Sequence, residues 1–372
     1  MTENKEKVTA QFPSVSADGG QPQVNTNIDS IPKKYEFSNF DMEDDIFSPD
    51  YLHTVSLTEL YDTVYQPRRQ VVDGLLCAGT YLFAGAPKVG KSFFMAQLAY
   101  HVSSGLPLWE YEVHQGTVLY LALEDDYARL QKRLSRMFGT DSLDNLKFAT
   151  QAKNLKDGLD GQLREFIRKH PDTRLMIIDT LQKVREVGGE QYSYASDYEI
   201  VTKVKQFSDQ NNVCVLLVHH TRKQSADDRF DTISGTNGLL GAADGAFLMS
   251  KEKRTDNKAV LDVVSRDQQD QRLHLLFDRE HCVWQFDRAE TELWQEAPDP
   301  ILEMVAGLLK EDTTWSGTAS ELAEKLGTEF QPNVLTRRLN VNAERLWNEY
   351  GIRYDSKRTH IGRLVKFARE ER

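Results

Sequence analysis

Cysteine is scarce. Cys77, Cys214 and Cys282 are the three in 372 residues, they stand far apart, and no Cys-x-x-Cys pair or Cys/His ligand spacing occurs. That argues against a disulfide scaffold and against a zinc module, and it suits a reducing compartment. Long apolar runs are lacking too. The longest, 118–123 and 213–218, have six residues each, where a membrane-spanning helix needs about 20. The opening residues, MTENKEKVTAQFPS, hold no apolar stretch of the secretion-signal kind. A cytoplasmic protein without a membrane partner is the expectation. Positive charge is in deficit as well: 46 Lys+Arg stand against 57 Asp+Glu, a formal charge of -11. That excludes a globally basic, chromatin-like protein but leaves room for a local basic surface.

What is present is ordinary for a globular chain, with 40% hydrophobic and 28% charged residues. At roughly 150 residues per domain the length favours two domains, with room for three. Residues 1–50 are polar, broken by Pro and Gly, and closed by an acidic patch at Glu43, Asp44 and Asp45. Such a segment buries too little surface to offset its ordering entropy, so a disordered or extended tail is expected there. From about residue 72, short runs rich in Val, Ile, Leu and Tyr alternate with stretches of helical periodicity. Fully apolar strands alternating with helices imply an α/β fold with a mostly parallel twisted sheet covered on both faces. The last strands follow one another without helices, so an antiparallel extension is expected. Ala-Pro-Asp-Pro at 297–300 marks a boundary, giving a main domain over 51–296 and a small one over 297–372.

Residues 85–92 read Gly85-Ala86-Pro87-Lys88-Val89-Gly90-Lys91-Ser92. This is the G-x-x-x-x-G-K-[ST] loop, and it has the strand before it and the helix after it that the motif requires. Glycines let successive N–H groups turn toward phosphates, and the positive end of the following helix favours the same anion. In such a loop Lys91 reaches the β/γ-phosphates and the Ser92 hydroxyl ligates Mg²⁺. Asp179 closes the apolar run 175–178 and is the candidate second metal ligand, with a plain turn residue as the alternative. Thr180 follows it, so a catalytic glutamate must come from elsewhere. Glu124, at the end of the run 118–123, is the candidate for orienting the attacking water. The rival reading makes Glu124, Asp125 and Asp126 the cap and first turn of the next helix, with Asp125 or Asp126 the better cap. His219 and His220 end another apolar run. They read either as a γ-phosphate sensor or as an ordinary histidine pair. A guanine-reading N-K-x-D motif is missing, since Asn257-Lys258-Ala259-Val260 lacks its aspartate. Ser234-Gly235-Thr236-Asn237-Gly238 matches an ABC signature poorly.

The run GAPKVGKS, VLYLALEDD, LMIIDT, VLLVHHTRK and SGTNGLLGAADG resembles the AAA-family ATPases of the RecA superfamily. Within it the chain is most similar to RepA-type hexameric replicative helicases of plasmids, phages and mobile elements, over roughly residues 55–285. The resemblance implies a RecA-like P-loop NTPase core that uses ATP and Mg²⁺ between subunits of a homo-oligomeric ring and grips single-stranded DNA in the channel. It implies Gly85, Ala86, Pro87, Lys88, Val89, Gly90, Lys91, Ser92 and Phe93 around the nucleotide phosphates. Ser92 and Asp179 fall on the metal, Glu124 as catalytic base, and His219 and His220 as sensor. Arg129 or Arg133, on the helix after Glu124, is the candidate for the adenine, with an ordinary surface helix face as the alternative. The chain departs from that family after Asp244-Gly245, where Ala246 and Phe247 stand in place of an arginine finger. The nearby cations are Lys251, Lys253 and Arg254. Arg266, after the next strand, is the candidate trans-acting residue.

DNA contacts fall on two loops, with Lys183 and Arg185 after Asp179 and Arg222, Lys223 and Arg229 after His220. Two solvated loops are the alternative. Past residue 297 the pattern reads as helices over 301–310 and 317–327, a longer helix after Pro332 and a closing hairpin, which together predict a winged-helix-like module. From Asn333 onward ten Lys/Arg stand against five Asp/Glu. Such a module either reads DNA, through Arg337, Arg338, Arg345, Arg358 and Arg363, or docks replication proteins. Beside the helicase reading stand a helicase loader, a recombination accessory and a regulatory or defence ATPase.

Overall fold

The computed structural model describes residues 52, 54–65, 67–185, 194–221, 229–233, 237–253, 255–290, 297–310, 313–360 and 362–369. The chain divides into two units, Met1–Ser56 and Leu57–Arg372. The tail expected over 1–50 lies outside the described residues.

The second unit opens with α1 (Leu57–Asp62) and an antiparallel pair, β1 (Gln70–Val72) and β2 (Leu76–Cys77). There follow β3 (Gly79–Gly85), α2 (Lys91–Ser104), β4 (Thr117–Ala122), α3 (Tyr127–Phe138), β5 (Leu146–Ala149), α4 (Leu159–Lys169) and β6 (Thr173–Asp179). Next come α5 (Leu181–Val184), α6 (Tyr194–Asn211), β7 (Cys214–His220), α7 (Asn237–Ala242) and β8 (Gly245–Ser250). Three strands without helices between them complete the sheet: β9 (Lys258–Ser265), β10 (Gln271–Asp278) and β11 (Val283–Ala289). The last stretch holds α8 (Pro300–Leu308), β12 (Thr314–Thr318), α9 (Ala319–Leu326), α10 (Pro332–Val341), α11 (Ala343–Tyr350), β13 (Ile352–Thr359) and β14 (Gly362–Arg369). Among the described residues no helix is long and apolar enough to cross a membrane.

The fold is α/β with a mixed sheet. Nine strands run in the order β11-β10-β9-β8-β3-β7-β6-β4-β5. From β8 to β5 all neighbours are parallel, and β9, β10 and β11 extend the sheet antiparallel, as their lack of crossover helices requires. β7 stands between β3 and β6, so the P-loop strand and the Asp179 strand are not neighbours. The two-residue period of the strands sorts the core. Tyr81, Phe83, Tyr120, Ile177 and Val218 share one face with Phe94, Met95 and Leu98 of α2. Leu82, Ala84, Leu121, Ile178 and Leu217 share the other with Leu163 of α4 and Val201 and Phe207 of α6.

The C-terminal elements build a separate apolar cluster around Leu302, Leu322, Leu335, Leu339, Leu346 and Phe367, closed by a three-stranded sheet in the order β12-β14-β13. The single longer helix expected after Pro332 is two helices, α10 and α11, parted at Asn342. At the break the Asn342 Nδ2 donates to the Arg338 carbonyl at 2.8 Å, and the Asn342 main-chain N–H donates to the same oxygen at 3.0 Å. β12 was not visible in the sequence because Thr314–Thr318 carries no apolar alternation; its place is set by main-chain pairing with β14. α1 lies on α10, where Asn340 Nδ2 donates to the Tyr61 carbonyl at 2.8 Å.

Candidate active site

β3 ends at Gly85, the chain turns through 86–90, and α2 begins at Lys91. Gly90 holds the N-cap position with φ 113° and offers no side chain to the first-turn N–H groups, which are left without a side-chain cap, as an anion site needs. Only glycine suits this position. A Cβ there would lie 2.6 Å from Cζ2 of Trp284, whose Nε1 donates to the Gly90 carbonyl at 3.3 Å. Trp284 is held in turn by Gln97 of α2, whose Oε1 accepts from the Trp284 N–H at 2.8 Å and whose Nε2 donates to the Trp284 carbonyl at 2.9 Å. The loop is therefore backed by β11, far away in sequence.

Lys91 is buried. Its ammonium donates to the Gly85 carbonyl at 2.8 Å and the Ala86 carbonyl at 3.2 Å, and Nδ1 of His220 lies at 3.2 Å. Burial lowers its pKa to about 8, against the opposing pull of Asp179 and Glu124. Burial lowers His220 also, with the Lys91 charge adding to the effect, so the ring next to Lys91 is an acceptor in its neutral form. The histidine pair is divided by the strand period. His220 lies on the α2 face with Val218, while His219 is buried on the other side. Of the two, only His220 is brought to the P-loop lysine.

Asp179 lies on the same face, two residues beyond Ile177. One of its oxygens, Oδ2, accepts from the Ser92 hydroxyl at 2.8 Å and from the Tyr120 hydroxyl at 2.8 Å. Burial pushes its carboxyl up, opposed by those two hydrogen bonds. A hydroxyl and a carboxylate are hard oxygen donors of the kind Mg²⁺ takes alongside substrate phosphates, and here they touch. Among the described residues no three His, Cys, Asp or Glu side chains group as a metal cage. The pair therefore fits Mg²⁺ carried largely by a nucleotide.

Glu124 is exposed, two residues past the end of β4, and its Oε1 accepts from the Thr180 hydroxyl at 3.1 Å. The acidic triplet separates by role. Asp126 is the N-cap of α3, accepting from the Arg129 N–H at 2.8 Å, and Asp125 pairs with Arg133 at 2.7 Å. Glu124 has no part in the cap. Arg133 also lies over the Phe93 ring at 5.5 Å, so its guanidinium is held between Phe93 and Asp125 beside the P-loop helix. Arg129 is exposed.

Other expected residues lie elsewhere. Arg266 is exposed at the opposite end of the sheet: β9 runs antiparallel to β8, with Ser265 paired to Gly245, while Gly85 of the P-loop strand pairs with Met249. Its guanidinium donates to the Gly241 carbonyl at 2.7 Å. Arg185 does not face solvent; it is buried in an ion pair with buried Asp197 at 2.9 Å. Lys183 is exposed, and Arg229 pairs with Asp262 at 3.3 Å. Lys251 lies over the Trp284 ring at 4.9 Å. Arg222, Lys223 and Arg254 lie outside the described residues.

Sequence reasoning missed Tyr120, Thr180 and Trp284. Tyr120 had a signal: four residues before Glu124, two strand periods back, it is a polar-tipped residue in a fully buried strand.

No curated protein matches the chain. Among solved structures it is similar to an isolated ATPase domain, at 16% identity and a TM-score of 0.48, over 57% of this chain and 85% of that one. It is also similar to a DnaB-like replicative helicase whose interactions with primase were described, at 16% identity and a TM-score of 0.47, over 56% of this chain and 57% of that one. Residues 49–226, which include Lys91, Ser92, Glu124, Asp179 and His220, match the protein family described as an AAA domain, and that match supports an ATPase.

Proposed function

We propose that the chain is an ATP-hydrolysing, RecA-type ring motor acting on single-stranded DNA, a replicative helicase of a mobile element of the RepA kind. The observation that carries this reading is the meeting of Lys91, Ser92, Asp179, Glu124 and His220 at the carboxyl edge of β3, β4, β6 and β7, where open α/β sheets bind ligands. Lys91 and main-chain N–H groups of the loop and first turn of α2 would hold the β- and γ-phosphates, with Pro87 contributing none. Ser92 and Asp179 hold Mg²⁺, which when bound neutralises charge on the transferred phosphoryl group. Glu124 orients the attacking water, and Thr180 fixes the carboxylate oxygen that does so. His220, in contact with Lys91, registers loss of the γ-phosphate. Arg133, steadied on Phe93, borders the adenine.

Arg266 belongs to the opposite end of the sheet, about 20 Å away along strands of this length. It is suited to a neighbour's nucleotide rather than to its own. A head-to-tail ring needs such opposed faces, and a hexamer is the expected closure. The proposed division is an ATPase domain over 51–296 and a winged-helix-like module over 297–372, a reading supported by the packing of α8–α11 with a three-stranded sheet in the order β12-β14-β13. One observation favours the second reading, a loader or accessory ATPase that binds partners without unwinding. Of the cations expected to face DNA, Arg185 and Arg229 are paired with carboxylates of the chain.

Unwinding of a forked duplex, with particle mass measured in parallel, separates the two. Strand separation by ring-sized particles, lost in Arg266→Ala and partly restored when that variant is mixed with Lys91→Ala, supports the motor. ATP turnover with no strand separation supports the accessory.

A further inference from the structure

Arg337 of α10 and Arg363 of β14 were expected to face DNA phosphates, yet both are turned onto one carboxylate. Arg337 Nε donates to Asp62 Oδ1 at 3.0 Å, and Arg363 Nη2 lies 3.3 Å from Asp62 Oδ2. Arg363 Nη1 also donates to the Asp62 main-chain carbonyl at 2.9 Å. We infer that Arg337 and Arg363 form a phosphate-binding site for duplex DNA that Asp62 fills from within the chain, so that α1 masks the DNA face of the C-terminal module. The inference rests on the reading of that module as a DNA binder.

The two sides of this contact are unequal. The receiving side is built. Asn340, which holds the Tyr61 carbonyl, is buried, and its Oδ1 accepts from the buried Tyr354 hydroxyl at 2.8 Å, tying α10 to β13. The occupant is slight. α1 has six residues and no buried side chain, and Leu57, Leu60 and Tyr61 are 63%, 41% and 44% exposed. A helix that short does not stand alone in water. It is held by polar contacts at its C-terminal end and by Val64 just beyond, which packs on the module's apolar cluster, and part-exposed ion pairs are weak. Two guanidiniums around one carboxylate leave a positive charge over, which an oxyanion of higher charge answers better.

The surroundings point to a string of phosphates. Lys357 and Arg358 are exposed at the hairpin, and Arg358 is paired in register with Arg363. Residues 356–363 contain no Asp or Glu. A helix beside a basic hairpin gathers several cations on one module, and a duplex backbone is bound by several such contacts at once.

The test uses the full chain without nucleotide, so that any nucleotide-dependent grip of the ATPase core is silent. Binding of a fluorescent duplex is followed by anisotropy across a salt series for wild type, Asp62→Asn and Asp62→Asn/Arg337→Glu. Asp62→Asn should raise affinity about tenfold, the scale of two weak ion pairs. It should steepen the slope of log K against log salt by about 1.8, for two added phosphates. Arg337→Glu should abolish the affinity gain and remove at least half of the added slope. Equal binding by wild type and Asp62→Asn would overturn the mask and leave the DNA reading standing. Binding by neither at low salt would overturn both, and preference of Asp62→Asn for an acidic peptide over DNA would move the site to a protein partner. Should Asp62→Asn fold poorly, wild type still decides: amide exchange of residues 57–62 must quicken when duplex is added, and unchanged protection contradicts the mask.

Discussion

Oδ2 of Asp179 accepts the Ser92 hydroxyl at 2.8 Å across 87 residues of sequence, and the same oxygen accepts the buried Tyr120 hydroxyl. The carboxylate is thus aimed at the start of α2 by a fully buried side chain. Tyr120→Phe removes one of the two bonds while the ring still packs. It should cost about 1 kcal/mol of stability. It should also raise the Mg²⁺ concentration for half-maximal ATP turnover several-fold, with smaller change at saturating Mg²⁺. Titration of Mg²⁺ against turnover reads this directly; an unchanged midpoint would detach Tyr120 from the metal site.

Glu124 is the group whose loss should separate binding from chemistry. Glu124→Gln should bind ATP as wild type does and turn over about 10²–10⁴ times more slowly, the usual range for a general base. Thr180→Val, which strips the hydrogen bond to Oε1, should give a smaller loss in the same direction. Near-normal hydrolysis by Glu124→Gln in single-turnover assays would place the base elsewhere.

The lowered pKa of Lys91, about 8, has consequences of definite sign. A triphosphate favours the charged amine, so binding takes up a proton only where the free chain has lost it. ATP affinity should be flat below pH 8 and fall above it, with proton uptake near zero at pH 7 and approaching one at pH 9. Calorimetry in two buffers of different ionisation enthalpy measures that uptake. Without nucleotide, the unfolded chain keeps this proton up to the ordinary value of 10.5. Between about 8 and 10.5 the unfolded state therefore binds more protons, and the Lys91 contribution makes stability rise with pH across that window. Below it the burial penalty is present in full. Lys91→Met should lack both effects.

Gly90 and Trp284 make the P-loop depend on β11. Gly90→Ala would place its Cβ against the indole at a φ that alanine avoids, a change worth about 1–3 kcal/mol of destabilisation. Nucleotide binding should be lost with it. Trp284→Phe should fold and weaken ATP several-fold through the loss of the donor to Gly90. Equilibrium unfolding and nucleotide titration of the two variants check the pair; a Gly90→Ala protein as stable as wild type would contradict the close contact.

Much of this site was legible because its signals are local. The P-loop motif is eight consecutive residues, and Asp179 and Glu124 each close an apolar run, so a parallel sheet gathers them. What depended on distant partners was not legible. His219 and His220 could be divided only once the register of β7 against β3 fixed which one faces α2. Arg185 read as a DNA cation because Asp197, on α6, is not foreseeable as its buried partner. Arg337 and Arg363 read as free charges for the same reason, their carboxylate lying 275 and 301 residues away. The break at Asn342 falls inside a pattern that otherwise continues a helix.

The most direct test of the ring-motor account is the rate of ATP hydrolysis by the full chain, with and without single-stranded DNA, on particles of measured mass. The account predicts Mg²⁺-dependent turnover by a ring-sized particle, absent in Lys91→Ala and raised several-fold by single-stranded DNA. Turnover at the same rate with and without DNA, by a monomer, would contradict it.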